Sequence, residues 1–321
     1  MKAVRCATYG PPEVLEIAEI EKPVPKENQV LVKVVAASIN AGDYRVRAGK
    51  PFLLRLVMGG LRKPADPRVG SDVAGVVEAV GENVTRFRPG DEVFGCAKGA
   101  FAEYVLAREA YLVLKPASRS FAEAAAVPVA ALTALQGLRY AGEIQPGQKV
   151  LIQGASGGVG IFAVQLAKLS GAEVTAVCNP RNLDMVRSLG ADIVIDYTQE
   201  DFTRNRQQYD LIFAVNGYHS LSAYKRALSP QGVYVCAGGT LPQIFQAMLL
   251  GSLLSAKGGK KLGSMGIAEV RHEDLVYLGG LLEAGKIVPV IDRSYPLDEI
   301  VDAFRYVEEK HAQGKVVITV G

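Results

Sequence analysis

The sequence predicts an α/β fold in which a doubly wound parallel sheet is joined to a second, β-rich domain. From about residue 121, short apolar runs alternate with segments of helical periodicity, which is typical of βαβ units. Before that point, β-branched runs follow one another with turn residues and charges between them. The 321 residues also exceed what one hydrophobic core usually serves, which favours two domains.

The composition and the charge exclude several classes of protein. The net charge of +3, from 36 basic and 33 acidic residues, is too balanced to indicate a nucleic-acid partner or an anionic membrane surface. The N-terminus lacks the apolar core of a secretory signal, and the longest apolar stretch, 244–256, is too short to span a bilayer. This stretch is expected to form a buried or dimer-facing helix, with a membrane-surface or hydrophobic-substrate role as the alternative. The four cysteines are scattered, which favours a reducing, cytoplasmic setting.

Residues 1–120 are predicted to form the β-rich domain. The runs 30–35 and 73–80 are apolar and β-branched, as strands are. The C-terminal segment 268–321 ends in a similar run, 315–320, and is expected to fold back and complete this domain.

Residues 121–267 are predicted to form the doubly wound sheet. Between the first two of its strands, apolar residues recur at helical spacing and Gly171 supplies the helix stop. After the second strand, Asn179 is a helix cap, Pro180 occupies the first turn and Gly190 ends the helix. The predicted strands are the apolar runs 150–152, 173–178, 193–195, 211–215 and 233–236.

The segment after the first of these strands predicts a dinucleotide site. It reads Gln-Gly-Ala-Ser-Gly-Gly-Val-Gly and lies between a strand and a helix, the context that a phosphate-binding turn requires. Small residues allow a tight turn and a close approach of the backbone to a pyrophosphate, to which the helix N-terminus offers N–H groups. The predicted cofactor contacts are Ala155, Ser156, Gly157, Gly158, Val159 and Gly160, with Gly238 and Gly239 after the last strand.

The end of the second strand predicts which dinucleotide binds. NAD-specific sites usually have Asp or Glu there, whereas this chain has Asn179, with Arg181 two residues later. A guanidinium without a neighbouring carboxylate favours a 2′-phosphate, and therefore NADPH. The alternative for Arg181 is a solvated arginine at a helix start. Tyr197, just past the third strand, is a second candidate contact of the phosphate, with a plain surface tyrosine as the alternative.

Six segments together resemble the zinc-free quinone oxidoreductase and enone reductase branch of the medium-chain dehydrogenase/reductases. The resemblance covers almost the whole chain. It implies a GroES-like substrate domain, formed by residues 1–120 and 268–321, a Rossmann cofactor domain at 121–267, and a homodimer. The segments are Ser-Ile-Asn-Ala-Gly-Asp-Tyr at 38–44, Gly-Ser-Asp-Val-Ala-Gly at 70–75, Gly-Asp-Glu-Val-Phe-Gly at 90–95, Gly-Ala-Phe-Ala-Glu-Tyr at 99–104, 126–134 and 155–160.

The same resemblance predicts that no metal is bound. Zinc-dependent relatives have a Cys ligand in the first of these segments and a His beside the glycine of the second, where this chain has Asn40 and Ser71. The zinc lobe of those relatives is also missing, because only three residues separate Gly95 from Gly99. The histidines lie far from both segments in sequence and are expected to be solvent-facing or capping. They are His219, His272 and His311.

Hydride transfer from a nicotinamide to an electron-poor acceptor is the reaction that this resemblance implies. The protein must then hold the nicotinamide against the acceptor and stabilise the developing oxyanion. By resemblance, Asn40 and Asp43 border the nicotinamide and the substrate, and Thr133 packs near the nicotinamide. Tyr44 and Arg45 are the expected donors to the acceptor oxygen. The alternative for Asp43 is a carboxylate that only braces its loop.

The class of acceptor stays open between a quinone and an α,β-unsaturated carbonyl. Related quinone reductases carry their pocket tyrosine where this chain has Arg45, and plant-type enone reductases read Asp-aromatic-Lys across 43–45. The Asp-Tyr-Arg of this chain is closer to the second pattern. An alternative from another class is a zinc-type alcohol dehydrogenase that lost its metal and has a non-catalytic, crystallin-like binding role.

Overall fold

The computed structural model describes residues 1–50, 52, 55, 60–255, 259–309 and 312–321. The chain divides into two compact units, the first formed by Met1–Ala130 with Val270–Gly321 and the second by Ala131–Glu269. The sequence prediction placed these boundaries after residues 120 and 267.

Fifteen strands and nine α-helices are present among the described residues. The strands are β1 (Lys2–Cys6), β2 (Leu15–Glu19), β3 (Gln29–Ser38), β4 (Asp72–Val80), β5 (Glu92–Cys96), β6 (Tyr104–Arg108), β7 (Leu112–Leu114), β8 (Lys149–Gln153), β9 (Glu173–Cys178), β10 (Ile193–Asp196), β11 (Tyr209–Ala214), β12 (Leu228–Cys236), β13 (Lys261–Ser264), β14 (Ile291–Pro296) and β15 (Lys315–Thr319). The α-helices are Ala41–Ala48, Phe121–Ala125, Pro128–Leu138, Gly160–Leu169, Leu183–Ser188, Leu221–Ala227, Leu241–Ser255, His272–Glu283 and Ile300–Glu308.

The first unit is built on a seven-stranded sheet in the order β14-β15-β3-β4-β5-β7, with β6 also paired to β3. β15 runs antiparallel to β3, with Val317 opposite Ser38. β4 runs antiparallel along the other part of β3, with Asp72 opposite Ser38. Because of this register, the C-terminal end of β3 lies beside the start of β4 and the first half of β15, although these segments are far apart in sequence.

The second unit contains a parallel six-stranded sheet in the order β10-β9-β8-β11-β12-β13. Counted within the unit, this is the order 3-2-1-4-5-6 of the Rossmann fold. The order reverses between β8 and β11, and ligands of such sheets bind beyond the carboxyl ends of the strands at that point. The predicted α/β class, with a doubly wound parallel sheet and a second, β-rich part, is confirmed.

The sequence missed one strand of this sheet. The five predicted apolar runs fall within β8 to β12, with only Val215 lying past a strand end, whereas β13 has the sequence Lys-Leu-Gly-Ser and was not predicted. It contains a single large apolar residue and pairs with β12. An edge strand with so little apolar character gives no signal by hydrophobic periodicity.

The predicted turn residues have their expected conformations. Gly171 and Gly190 have φ of +79° and +105°, in the region that glycine adopts without a steric cost. The Asn179 side chain accepts a hydrogen bond from the N–H of Arg181 at 3.2 Å and so caps the next element. That element begins as a 3₁₀ turn, Pro180–Asn182, before it becomes the helix Leu183–Ser188.

The apolar stretch 244–256 falls largely within the helix Leu241–Ser255, and residue 256 lies outside the described residues. Ala247 is buried, but Met248 and Leu249 are 60% and 68% exposed. The helix therefore has an uncovered apolar face in the isolated chain. Within the described ranges, no helix is both long enough and apolar enough to cross a membrane.

Candidate functional site

The predicted dinucleotide turn lies between β8 and the helix Gly160–Leu169, at the point where the strand order reverses. The N–H groups of Gly154 and Ala155 donate to the carbonyl of Val177 on β9 at 3.0 and 3.1 Å, which ties the turn to the neighbouring strand. Gly154 has φ of +86°. A Cβ at Gly160 would lie 2.2 Å from the Gly154 carbonyl oxygen. These two positions require glycine for backbone reasons alone.

The exposure of this turn divides its residues into two groups. Ala155 and Gly160 are buried and hold the helix close to the sheet. The other four predicted contacts are partly exposed, so their backbone is available to a ligand; they are Ser156, Gly157, Gly158 and Val159. No side chain within the described part of the chain caps the helix that begins at Gly160. Such a helix N-terminus fits a pyrophosphate.

Asn179, Arg181 and Tyr197 come together at the carboxyl ends of β9 and β10. The Asn179 Nδ2 donates to the Tyr197 hydroxyl at 3.2 Å, and the Asn179 Oδ1 accepts the Arg181 N–H. Tyr197 is 45% exposed, and Arg181 is exposed as well. This group of three residues presents a guanidinium, an amide and a phenol to solvent. It is called here the phosphate-reading group, after the contact that the sequence predicts for it.

The acidic residues closest in sequence to this group are already bonded to other partners. The Asp184 carboxylate pairs with Arg187 at 2.8 Å. The Asp196 carboxylate accepts from the N–H and the hydroxyl of Thr198, each at 2.8 Å. The local charge therefore suits an anion better than a ribose hydroxyl pair.

The remaining predicted cofactor contacts lie elsewhere in the chain. Gly238 and Gly239 follow β12, and Gly239, with φ of +129°, forms a bridge to Gly217 after β11. A Cβ at Gly238 would lie 2.4 Å from the Val215 carbonyl oxygen. The glycine pair therefore lets the loops after β11 and β12 approach each other. Thr133 is partly buried on the helix Pro128–Leu138.

In the first unit, Asn40 and Asp43 lie at the start of the helix Ala41–Ala48, directly after β3. The Asn40 N–H donates to Asp43 Oδ2 at 2.8 Å. The Ser71 hydroxyl donates to Asp43 Oδ1 at 2.9 Å. Both carboxylate oxygens of Asp43 are thus engaged, and the side chain is only 6% exposed.

The Asn40 side chain connects this helix start to two buried charges. Its Nδ2 donates to Asp72 Oδ2 at 2.8 Å, and its Oδ1 accepts from Lys315 Nζ at 2.6 Å. Lys315 and Asp72 are 2% and 0% exposed, with Nζ to Oδ2 at 3.4 Å. The set is called here the Lys315 cluster, and its members are Ser38, Asn40, Asp43, Ser71, Asp72 and Lys315.

Burial raises the pKa of Asp43 to about 6, and the charge of Asp72 adds to this effect. The hydrogen bonds from Asn40 and Ser71 and the charge of Lys315 act in the opposite direction. Burial also raises the pKa of the Cys96 thiol, which lies beside the same charges. Asp43 therefore changes its charge close to neutral pH.

Tyr44 and Arg45, the predicted donors to the acceptor, follow Asp43 on the same helix. Both side chains are partly buried, and Tyr44 packs against the hydrophobic core of the first unit. Their role at an acceptor oxygen stays a prediction. The sequence analysis did not identify Lys315 and Asp72 as site residues. The feature that could have identified them is that each is a charged residue at the start of an apolar strand.

The expectation that the histidines are solvent-facing or capping was wrong for His219. Its ring packs against Phe202 and Tyr218, with centroid distances of 5.1 and 4.4 Å, because the loop after β11 folds over an aromatic cluster. Burial lowers its pKa. His272 is the first residue of the helix His272–Glu283, and His311 lies outside the described residues. No group of three or more His, Cys, Asp or Glu side chains placed to hold a metal occurs in the described ranges.

Two family models match the chain. Residues 26–117 match the alcohol dehydrogenase GroES-like domain, and residues 189–318 match a model described as zinc-binding dehydrogenase. A 2-methylene-furan-3-one reductase of Solanum lycopersicum is 36% identical over 99% of this chain and 79% of its own length. A chloroplast envelope quinone oxidoreductase homolog of Arabidopsis thaliana is 35% identical over 99% of this chain and 98% of its own length.

Solved structures give a similar result. The quinone oxidoreductase from Coxiella burnetii is 32% identical, with a TM-score of 0.88 over 100% of this chain and 99% of that one. The Escherichia coli quinone oxidoreductase complexed with NADPH is 25% identical, with a TM-score of 0.85 over 99% of this chain and 100% of that one.

One family model is described as zinc-binding, but the residues of this chain do not fit a zinc site. An amide and a hydroxyl, those of Asn40 and Ser71, stand where thiolate or imidazole ligands are needed, and both are already hydrogen-bonded. The Lys315 ammonium, 2.6 Å from Asn40 Oδ1, would also repel a metal ion at that oxygen. Because relatives above 30% identity match 99% of the chain, this protein belongs to the medium-chain dehydrogenase/reductase superfamily, in its quinone oxidoreductase and enone reductase branch.

Proposed function

We propose that this protein is a zinc-independent, NADPH-dependent oxidoreductase that transfers hydride to a quinone or to an α,β-unsaturated carbonyl compound. The observation that carries the proposal is the phosphate-reading group beside the dinucleotide turn, with its nearby carboxylates bonded to other partners. The names of two relatives support it, since an alkenal/one oxidoreductase of Arabidopsis thaliana is NADPH-dependent and the Escherichia coli enzyme was solved with NADPH.

In this proposal the Rossmann unit of 131–269 binds the cofactor. The turn 155–160 holds the pyrophosphate by backbone N–H groups, and the phosphate-reading group holds the 2′-phosphate. Thr133 packs near the nicotinamide, and the glycine pair at 238–239 lets the backbone approach the cofactor. The bound cofactor supplies the hydride, and the protein supplies orientation and electrostatics.

The GroES-like unit, Met1–Ala130 with Val270–Gly321, supplies the polar groups for the acceptor. Reduction of a quinone or an enone by hydride leaves a negative charge on the acceptor oxygen. A phenol and a guanidinium, those of Tyr44 and Arg45, stabilise such an oxyanion by hydrogen bonds. Both acceptor classes develop the same charge, so this pair serves either one. Asn40 and Asp43 hold the helix that carries Tyr44 and Arg45.

Cofactor titration tests the proposal at the phosphate-reading group. A charge-assisted hydrogen bond contributes roughly 1.5 to 3 kcal/mol, so Arg181→Ala should weaken NADPH binding by about ten- to a hundredfold and leave NADH binding almost unchanged. Asn179→Asp should shift the preference toward NADH, because the new carboxylate repels the phosphate and accepts from ribose hydroxyls. Arg226→Ala is the matched control, since Arg226 is an exposed arginine in the last turn of the helix Leu221–Ala227 of the same unit, away from the phosphate-reading group in sequence.

The titration contradicts the NADPH assignment if the wild type binds NADH as tightly as NADPH, or if Arg181→Ala weakens both cofactors alike. A panel of quinones and alkenones, assayed by NADPH oxidation, then tests the reaction itself. The crystallin-like alternative predicts cofactor binding without turnover of any acceptor.

The proposal includes a homodimer. β13 lies at the edge of its sheet, and β12 is its one strand partner in the described part of the chain. The exposed apolar residues Met248, Leu249 and Ile267 lie on the segments flanking this strand, and Met248 also lines a pocket along it that contains none of the predicted site residues. An uncovered edge strand flanked by exposed apolar residues is a site for association, and a second copy presents the same surface.

Sedimentation tests this assembly. Leu249→Asp should convert the dimer to a monomer, because it places a charge in the proposed contact. Val24→Asp is the control, since Val24 is 74% exposed in the other unit. A monomeric wild type, or a dimer that survives Leu249→Asp, contradicts the proposed face.

We also propose a cytoplasmic location. The four cysteines are buried thiols, which fits a reducing compartment. The names of relatives include chloroplastic and mitochondrial proteins, so the location of a fluorescent fusion in the source cells decides this point.

A further inference from the structure

Lys315 is a buried cation to which the sequence assigns no role. It begins β15, and its ammonium donates to Asn40 Oδ1 at 2.6 Å and to the Ile39 carbonyl oxygen at 3.3 Å. Asp72 Oδ2 lies 3.4 Å away. A buried ammonium is unfavourable unless acceptors and an opposite charge surround it, and here three acceptors do so.

Asp72 is the matching buried anion. Its Oδ2 accepts from the Ser38 hydroxyl at 2.6 Å and from Asn40 Nδ2 at 2.8 Å, in addition to Lys315. Its Oδ1 accepts from the Val129 N–H at 2.8 Å. The pair of Lys315 and Asp72 is thus held by groups from the end of β3, from the two residues that follow it and from the start of the helix Pro128–Leu138.

The pair determines which way the Asn40 amide faces. An ammonium has only donors, so it requires the amide oxygen, and a carboxylate has only acceptors, so it requires the amide nitrogen. Exchanging the two ends of the amide would break both hydrogen bonds at once. The Asn40 backbone N–H in turn binds Asp43 Oδ2, which fixes the start of the helix that carries Tyr44 and Arg45.

We propose that Lys315 and Asp72 are positioning residues, which lock the Asn40 amide and thereby hold the helix Ala41–Ala48 in the geometry required for reduction of the acceptor. This inference rests on the proposed function, because it uses the role given there to Tyr44 and Arg45. Neither Lys315 nor Asp72 is required to touch the acceptor or the cofactor.

The test uses a variant in which the buried charges are removed together. Lys315→Met alone would leave Asp72 buried without its cation and can prevent folding. The double variant Lys315→Met with Asp72→Asn carries no charge at either position and keeps one amide beside Asn40. Lys22→Met is the matched control, because Lys22 is an exposed lysine of the same unit, paired with Glu78.

In the double variant we expect kcat to fall by about a hundredfold, the size of effect that a small misplacement of reacting groups produces. The Kd for NADPH should stay within about twofold of the wild type, because the predicted contacts of the pyrophosphate and of the 2′-phosphate lie in the other unit. A double variant that folds and keeps kcat within about threefold of the wild type overturns the inference. Equal losses of kcat and of NADPH affinity overturn it too, since they indicate a general structural defect.

A second measurement does not depend on activity. Hydrogen exchange of the amides in 41–48 should become at least about tenfold faster in the double variant and stay unchanged in Lys22→Met. If the wild type reduces no acceptor, the proposed function fails, while the exchange rates still decide whether the pair holds the helix. Unchanged exchange in the double variant overturns the inference, whatever the activity of the wild type.

Discussion

The substitution Asp43→Asn removes one ionisable group from the Lys315 cluster, and its effect on stability should depend on pH. Burial raises the pKa of Asp43 from 3.8 to about 6 in the folded protein. Because the folded pKa lies above the unfolded value, the folded state holds a proton that the unfolded chain has already released. The stability that this proton contributes is fully present below about pH 4 and is lost as the pH rises through about 6.

The size of the effect follows from the two pKa values. The difference between 3.8 and about 6, at about 1.36 kcal/mol per pH unit, corresponds to about 3 kcal/mol. Asparagine is neutral at every pH and has no such dependence. The free energy of unfolding of Asp43→Asn, minus that of the wild type, should therefore increase by about 3 kcal/mol between about pH 3 and about pH 8.

Urea unfolding followed by circular dichroism measures this difference at each pH. Asp66→Asn is the control, because Arg68 and Lys98 hold the pKa of Asp66 well below its usual range. The stability that Asp66 contributes to the wild type is lost as the pH falls. The difference in unfolding free energy between Asp66→Asn and the wild type should therefore slope against pH in the direction opposite to that of Asp43→Asn. A flat difference for Asp43→Asn, or equal slopes for the two variants, would refute the reasoning about burial at Asp43.

Three further predictions concern the metal, the acceptor and the dinucleotide turn. Elemental analysis should find no stoichiometric zinc, and a chelator should leave activity unchanged, because an amide and a hydroxyl occupy the ligand positions; one zinc per chain would contradict this. Tyr44→Phe and Arg45→Ala should each lower turnover more than NADPH binding, and equal loss of cofactor affinity would show that they are misplaced. Gly160→Ala should destabilise the protein, because its Cβ would lie 2.2 Å from the Gly154 carbonyl oxygen. In Gly157→Ala the new Cβ would lie 3.6 Å from the same oxygen, so this variant should be as stable as the wild type and show only weaker NADPH binding. Equal unfolding midpoints for the two variants would contradict the packing argument.

The features that could be predicted from the sequence are local in the chain. The alternation of apolar runs with helical segments predicted β8 to β12, and the helix stops at Gly171 and Gly190 follow from single residues. The dinucleotide turn could also be read directly, because a strand, a glycine turn and a helix follow one another without interruption. The proposed preference for a 2′-phosphate was predicted from Asn179 and from a residue two positions later, which are neighbours in the sequence.

The Lys315 cluster could be found only from the tertiary structure. Its members come from β3, β4, β15 and the helix Ala41–Ala48, and the strand register brings together residues as distant as Asn40 and Lys315. From the sequence alone, a lysine at the start of an apolar strand is expected to be exposed to solvent, because burial of an unpaired charge is so unfavourable. Only the tertiary structure shows that the Asp72 carboxylate and the Asn40 amide oxygen lie beside the Lys315 ammonium.

The same distinction explains the other differences. β13 is held by pairing with β12 and by packing of the helix Leu241–Ser255, not by apolar character of its own. His219 is packed among aromatic rings because of the path of the loop after β11. Local propensity and periodicity are properties of neighbouring residues, so the sequence alone determined the class of fold and the dinucleotide turn. Burial and charge pairing are properties of distant residues brought into contact, so the raised pKa of Asp43 and the place of Lys315 were decided by the tertiary structure.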